Sequence, residues 1–162
     1  MQVTPRLEWI RLLQKNRPQA VAWIQGNEEN PQLSGLIKFY TTIYGGVLVE
    51  AEVFGLPNID AVHSSDFYAM HIHENGDCSG EFANTGGHYD PAGLPHPDHA
   101  GDMLPLMGDQ GYAYTLFYDK RFRVSEIVGK SVIIHAGKDD FSTQPSGNAG
   151  EKIGCGVIME ER

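Results

Sequence analysis

Six of the seven histidines fall between positions 71 and 135 of this 162-residue chain. Two of them, His71 and His73, lie two residues apart in a segment that is predicted to be a β-strand. Because side chains alternate faces along a strand, both imidazoles point to one side and Ile72 points to the other. Imidazole nitrogen is a ligand for zinc and copper, so the pair indicates a metal site on one face of that strand.

Five further candidate ligands follow, most of them in a glycine-rich stretch. They are His88, His96, His99, Asp102 and, at the end of a later predicted strand, His135. The H-x2-H-x2-D spacing that ends at Asp102, together with the H-x-H pair, favours metal binding over a set of ordinary polar histidines. Neither cysteine lies at the spacing of a thiolate zinc site. The seventh histidine, His63, belongs to none of these groups, and we interpret it as a surface residue.

The elements that must position these ligands are predicted to be short strands. Seven segments with strand-like composition are separated by turn residues: 20–24, 36–43, 47–54, 67–73, 112–118, 131–135 and 153–159. Their number and spacing are typical of an antiparallel sandwich or barrel, and we expect no helix between them. Two long connections, 74–111 and 136–151, are rich in glycine and polar residues. We expect a bound ligand to order the first.

Residues 1–18 are predicted to form an extension ahead of a domain that spans residues 19–162. Leu7, Ile10 and Leu13 recur at helical spacing, which is compatible with a short amphipathic helix or with a frayed tail. Charged residues interrupt every apolar run here, whereas a secretory signal needs an uninterrupted apolar core. We therefore expect a cytoplasmic protein, or a periplasmic or extracellular one if a leader has been removed.

The composition narrows the class of partner. Apolar residues make up 41% of the chain and charged residues 20%, as in a soluble globular protein. The formal net charge of −9 repels phosphate backbones and anionic lipids, so we expect neither nucleic acid nor a membrane surface as partner. No run of 18 apolar residues is present that would predict a membrane-spanning helix.

Five ordered blocks resemble the signature motifs of the copper/zinc superoxide dismutases, and the resemblance is to a bacterial-type member of the family. They are HIHENGDC (71–78), GGHYDP (86–91), HPDHAGD (96–102), VIIHAGKDD (132–140) and GNAGEKIGCGVI (147–158). The resemblance covers roughly residues 19 to 160. It implies an all-β fold, a Greek-key antiparallel β-sandwich or flattened barrel of about eight strands with two long functional loops.

The resemblance also implies a set of metal ligands. A copper ion would be bound by His71, His73, His88 and His135. A zinc ion would be bound by His88, His96, His99 and Asp102, so that the His88 ring bridges the two metals. Asp139 matches the family aspartate that hydrogen-bonds one ligand of each metal; the alternative is a turn-capping residue. Cys78 and Cys155 match the family disulfide; the alternative is two free thiols.

The activity implied by the resemblance is conversion of superoxide to oxygen and hydrogen peroxide, with His88 and Lys152 as catalytic residues. Lys152 stands where family members typically carry arginine, and lysine is a flexible point charge rather than a rigid fork of donors. We therefore expect it to attract the anion but to orient it less well, unless it is merely a solvated surface lysine. The alternatives are a non-enzymatic copper/zinc carrier or store on the same fold, and a purely structural metal domain. Pairing into a homodimer is a further expectation from the family.

Overall fold

The computed structural model describes residues 4–62 and 65–162, so the interpretation of His63 lies outside the described residues. In chain order the elements are α1 (Pro5–Lys15), β1 (Ala20–Gly26), β2 (Ser34–Thr41), β3 (Val47–Phe54), β4 (Ser65–Tyr68), β5 (Met70–His73), β6 (Leu106–Asp109), β7 (Ala113–Asp119), α2 (Val124–Ile127), β8 (Ser131–His135) and β9 (Lys152–Glu160). Across the described part of the chain, no helix combines the length and the apolarity that a membrane crossing requires.

Seven strands form one curled antiparallel sheet in the order β5-β8-β9-β1-β2-β3-β7, and β4 pairs with β6 in a second, two-stranded sheet. Strand β7 returns to lie beside β3 after three intervening strands, and β8 crosses back to pair with β5. Such a return over a long connection is the topology of a Greek key. The all-β fold class expected from the sequence is confirmed.

The core fills the inside of the curl. On β3, Val49, Ala51 and Val53 are fully buried and belong to one apolar cluster with residues of most other strands. On β5 the alternation separates two functions, because Met70 and Ile72 join this cluster while the histidines between and after them point to the opposite face. Burying an aliphatic side chain stabilises the fold by about 1.5–3 kcal/mol, so the core fixes the strand that carries the histidines.

Three details differ from the expectation. The segment 67–73 is two strands rather than one, because Ala69 bonds the end of β8 and the loop after it. Its carbonyl accepts from His135 (2.9 Å), and its N–H donates to Gly137 (2.8 Å). Strand β6 lies inside the connection that was expected to be a loop, and α2 lies where no helix was expected. Each of these two has only four residues, which is too short for a periodic pattern to be recognised.

The N-terminal extension is helical. Helix α1 has no fully buried residue, but Trp9 stacks on Tyr118 of β7 with ring centroids 5.0 Å apart and contacts Tyr44 edge-on at 5.7 Å. After the helix, the Asn16 side chain accepts a hydrogen bond from Lys38 of β2 (2.8 Å). These contacts hold the helix against the outer surface of the barrel, away from the histidines.

Candidate metal centre

Strands β5 and β8 pair side by side and bring three histidines to one end of the sheet. His71 and His73 come from β5, and His135 ends β8 next to an irregularity in its pairing with β9. Loop residue His88 completes the group, with its ring centroid 4.0 Å from that of His71 and 5.0 Å from that of His73. All four side chains are buried, and each offers a ligand atom within 4.8 Å of the others.

The ring nitrogens that the four histidines turn toward one another fit a metal ion. Among the described residues, four buried ring nitrogens of the group have no hydrogen-bond partner: His71 Nδ1, His73 Nε2, His88 Nε2 and His135 Nε2. A buried polar atom left without a partner costs about 1–3 kcal/mol, so four that converge on one point require an explanation. An ion bound by all four removes that cost, and four imidazoles suit copper. We call this set the copper group.

The remaining nitrogens of these rings set the tautomers. His73 Nδ1 donates to the Gly86 carbonyl (2.8 Å), and His135 Nδ1 donates to the Gly150 carbonyl (3.1 Å). Burial lowers the pKa of His73 to about 2 and that of His135 to about 3, and burial likewise lowers the pKa of His71. These rings are therefore neutral at ordinary pH, with the unprotonated nitrogen turned toward the metal position.

A second group, the zinc group, consists of His88, His96, His99 and Asp102, again with ligand atoms within 4.8 Å of one another. The Asp102 carboxylate lies close to all three rings of the group. One carboxylate oxygen is 2.6 Å from His88 Nδ1, and the other is 3.0 Å from His96 Nδ1 and 3.1 Å from His99 Nδ1. Three imidazoles and one carboxylate form a closed tetrahedral set for zinc. The short His96–His99 spacing is therefore sufficient to bring both rings to one ion.

The two groups share His88 and are joined again by Asp139. The His88 ring turns Nε2 to the copper group and Nδ1 to the zinc group. Asp139 accepts from His71 Nε2 with one oxygen and from His96 Nε2 with the other, each at 2.8 Å. Burial alone would raise the pKa of Asp139, but the hydrogen bonds from these histidines and from the Phe141 N–H hold it far below its usual value. The carboxylate is thus an anion that orients one ligand of each group.

Gly147 makes room for this bridge. It has a positive φ of 71°, and a Cβ at this position would collide with Asp139 Oδ1 and His96 Nε2. A residue without a side chain therefore lets the loop after β8 pass directly over the Asp139 carboxylate.

Two residues that the sequence did not single out hold the loop segment 96–102, which carries three residues of the zinc group. The guanidinium of Arg121, two residues after β7, donates to the backbone carbonyls of His99 (3.2 Å) and Asp102, and it pairs with Asp119 at 2.7 Å. Gln144 accepts from the His96 N–H (2.9 Å) and donates to the His96 carbonyl (2.7 Å). No motif marks either residue, since each role depends on contacts with a segment more than fifteen residues away.

An open cavity of about 470 Å³ lies beside the copper group. His73, His88 and His135 line it from the metal side, and Lys152 lines it as a cationic side chain. Lys152 lies opposite His135 in the β8–β9 pairing, which brings its side chain to this end of the sheet. Glu74 and Asp90 also line the cavity, so a small anion that reaches the copper group passes one cationic and two acidic side chains.

Residues 33–158 match the family described as copper/zinc superoxide dismutase (SODC). The chain belongs to the copper/zinc superoxide dismutase family. That match covers every residue of both metal groups, as well as Asp139 and Lys152.

Several curated members of the family are similar to the chain. The extracellular superoxide dismutase of Rattus norvegicus is 32% identical over 139 residues, which cover 80% of this chain and 56% of the rat protein. Superoxide dismutase 3 of Arabidopsis thaliana is 33% identical over 155 residues, covering 86% and 88%. The copper chaperone for superoxide dismutase of Homo sapiens is 27% identical over 139 residues, covering 78% and 48%. The chain therefore spans about half the length of the rat and human relatives.

A solved structure supports the same fold. The clock protein EA4 superposes with a TM-score of 0.75 at 30% sequence identity, over 89% of this chain and 96% of that protein. The likeness extends over nearly the whole chain, in agreement with the curled sheet described above.

The family disulfide is present. Cys78 and Cys155 are bonded, with their Cα atoms 5.8 Å apart, and the bond closes a loop across 77 positions. It joins the loop after β5 to the last strand, three residues beyond Lys152. The free-thiol alternative is thereby excluded.

The structure also brings the predicted ligands into two groups and places Asp139 between them, while the role of each residue in binding and catalysis stays a prediction.

Proposed function

We propose that this chain binds copper at the copper group and zinc at the zinc group and catalyses the dismutation of superoxide. The observation that carries the proposal is the convergence of four unpartnered, buried imidazole nitrogens beside an open cavity that also holds Lys152. A purely structural metal site needs no such access to solvent. The balanced reaction converts two superoxide anions and two protons to one oxygen and one hydrogen peroxide.

When bound, copper would supply the redox chemistry, taking an electron from one superoxide and giving it to a second. The protein's part is to bind, orient and protonate. The Lys152 ammonium attracts the anion into the cavity by charge. Carbonyl groups of Gly86 and Gly150 hold His73 and His135 in one tautomer and one orientation, so these two ligands stay in place.

His88 is suited to deliver a proton at a defined atom. Its Nδ1 is directed at the zinc group, so its position is fixed from one side. Its Nε2 lies in the copper group without a protein partner among the described residues, and the ring lines the cavity. When Nε2 is not bound to copper it can take up a proton, and it can then pass that proton to the reduced product within the cavity while Nδ1 keeps the ring in place.

The test is superoxide decay in the presence of protein reconstituted with both metals and freed of excess copper. The zinc-only protein and the His73→Ala variant treated in the same way are the controls. We expect decay well above that given by the same amount of chelated copper, and we expect neither control to accelerate it. Copper-loaded protein that is no faster than chelated copper would refute the proposed activity.

The second candidate is a copper carrier or store. Lys152 in place of an arginine, the net charge of −9 and the similarity to a human copper chaperone favour it. A carrier must release its ion, whereas a dismutase keeps it through turnover. Transfer of copper to a competing chelator within minutes, without dismutation, would support the carrier; retention of copper with dismutation would support the enzyme.

A further inference from the structure

The geometry points to Thr85 as a positioning residue that fixes the Lys152 ammonium at the wall of the copper cavity. The inference rests on the proposed function, because it concerns how Lys152 presents its charge to an anion that approaches copper. Among the described residues, Thr85 does not line the cavity, and its side chain bonds Phe82 and Lys152 rather than a candidate metal ligand.

The contact network is closed, and it is buried at Thr85 and half-buried at Lys152. Lys152 Nζ donates to Thr85 Oγ1 at 2.8 Å and to the Phe82 carbonyl at 3.3 Å. Thr85 Oγ1 donates in turn to the same Phe82 carbonyl at 3.0 Å, and Thr85 is fully buried. Because the hydroxyl proton is committed to Phe82, the oxygen of Thr85 presents its lone pairs to Lys152.

This arrangement leaves the ammonium one free donor. A lysine ammonium has three N–H groups, and two of them are used by the acceptors on Thr85 and Phe82. The third remains for an anion in the cavity that Lys152 lines. A flexible lysine stem thus acquires a fixed direction, which an arginine has from its own planar fork of donors.

The two segments that form the network are tied together next to it. Phe82 belongs to a small buried cluster with Cys155, and Cys78, the other residue of the disulfide, packs against that cluster. Thr85 precedes Gly86, whose carbonyl accepts from His73 of the copper group. A shift of Thr85 would therefore move Lys152 relative to the copper ligands. Through this contact the Thr85 hydroxyl affects the affinity for an anion.

The experiment compares azide binding by copper- and zinc-loaded protein, followed through the charge-transfer absorption between azide and copper(II). Thr85→Val removes the hydroxyl and keeps the shape, whereas Thr85→Ser keeps the hydroxyl. We expect Thr85→Val to weaken azide binding about three- to tenfold and Thr85→Ser to change it by less than about twofold. The Thr85→Val/Lys152→Met double variant should bind azide as Lys152→Met does.

Salt dependence separates orientation from charge. Thr85→Val keeps the lysine charge, so the slope of azide affinity against ionic strength should equal that of the wild type, while Lys152→Met should flatten it. The inference would be overturned if Thr85→Val bound azide as tightly as the wild type. It would also be overturned if Thr85→Val lowered azide affinity equally in the wild-type and in the Lys152→Met background. Azide binding needs no turnover. If azide binding depends on Thr85 but the protein does not dismute superoxide, the proposed function alone is refuted. If the protein dismutes superoxide but azide binding does not depend on Thr85, this inference alone is refuted.

Discussion

Asp139 connects the two metal groups through a single carboxylate. One oxygen holds His71 of the copper group and the other holds His96 of the zinc group, both at 2.8 Å. The sequence could suggest this residue by its resemblance to a family motif, and it could suggest all seven candidate ligands in the same way. It could not suggest Arg121 or Thr85, because a guanidinium that binds distant carbonyls leaves no local pattern, and neither does a hydroxyl that orients a lysine.

Asp139→Asn should weaken the binding of at least one of the two metals. The amide offers one oxygen acceptor in place of two, so either His71 or His96 loses its partner. Loss of such an orienting hydrogen bond lowers metal affinity by about 10- to 100-fold, which chelator competition for copper and for zinc can measure separately. Asp140→Asn is the matched control, because Asp140 bonds Ser142 and Thr143 rather than a histidine. Equal affinities in the two variants would contradict the bridging role.

At the scale of elements, the site depends on how a rigid strand pair and two loops are joined. Strands β5 and β8 position three histidines by register alone, which is why alternation in the sequence predicted the facing of His71 and His73. Strand β6 inside the long loop and the split at Ala69 before it were less predictable, because both arise from pairing with distant segments. The disulfide then fastens this loop to β9.

Removing the disulfide should destabilise the fold strongly. For the Cys78→Ser/Cys155→Ala variant we expect the free energy of unfolding to fall by roughly 4–5 kcal/mol, because a long loop is no longer constrained in the unfolded chain. Urea unfolding of metal-free protein measures the change. Wild-type protein reduced by a phosphine is the matched control, since it loses the bond and keeps both residues. An unchanged midpoint in both samples would rule out a stabilising disulfide.

At the scale of the whole molecule, charge opposes the proposed substrate. The chain carries 21 acidic and 12 basic residues, so its far field repels an anion. Attraction must therefore arise locally, from Lys152 at the cavity and from the metal ions that the two groups would hold. At 0.1 M salt the Debye length is about 10 Å, so screening reduces the repulsion of distant surface charges more than the pull of a lysine beside the site.

Lys152→Ala should lower kcat/KM for superoxide by roughly tenfold at low ionic strength, because the local attraction is lost and the repulsion remains. The difference from the wild type should shrink as salt is raised, since both interactions are screened. Stopped-flow measurement of superoxide decay across a salt series gives both quantities. Lys15→Ala is the matched control, because it makes the same change in net charge at an exposed position on α1. A Lys152→Ala protein that behaves like Lys15→Ala would exclude the guiding role.

The most direct test of the account is a copper titration of the zinc-loaded protein, with superoxide decay and metal content measured on the same samples. The account predicts a rate that rises in proportion to bound copper and reaches its plateau at one copper and one zinc per chain. A rate that stays at the chelated-copper background while copper fills the site would contradict it.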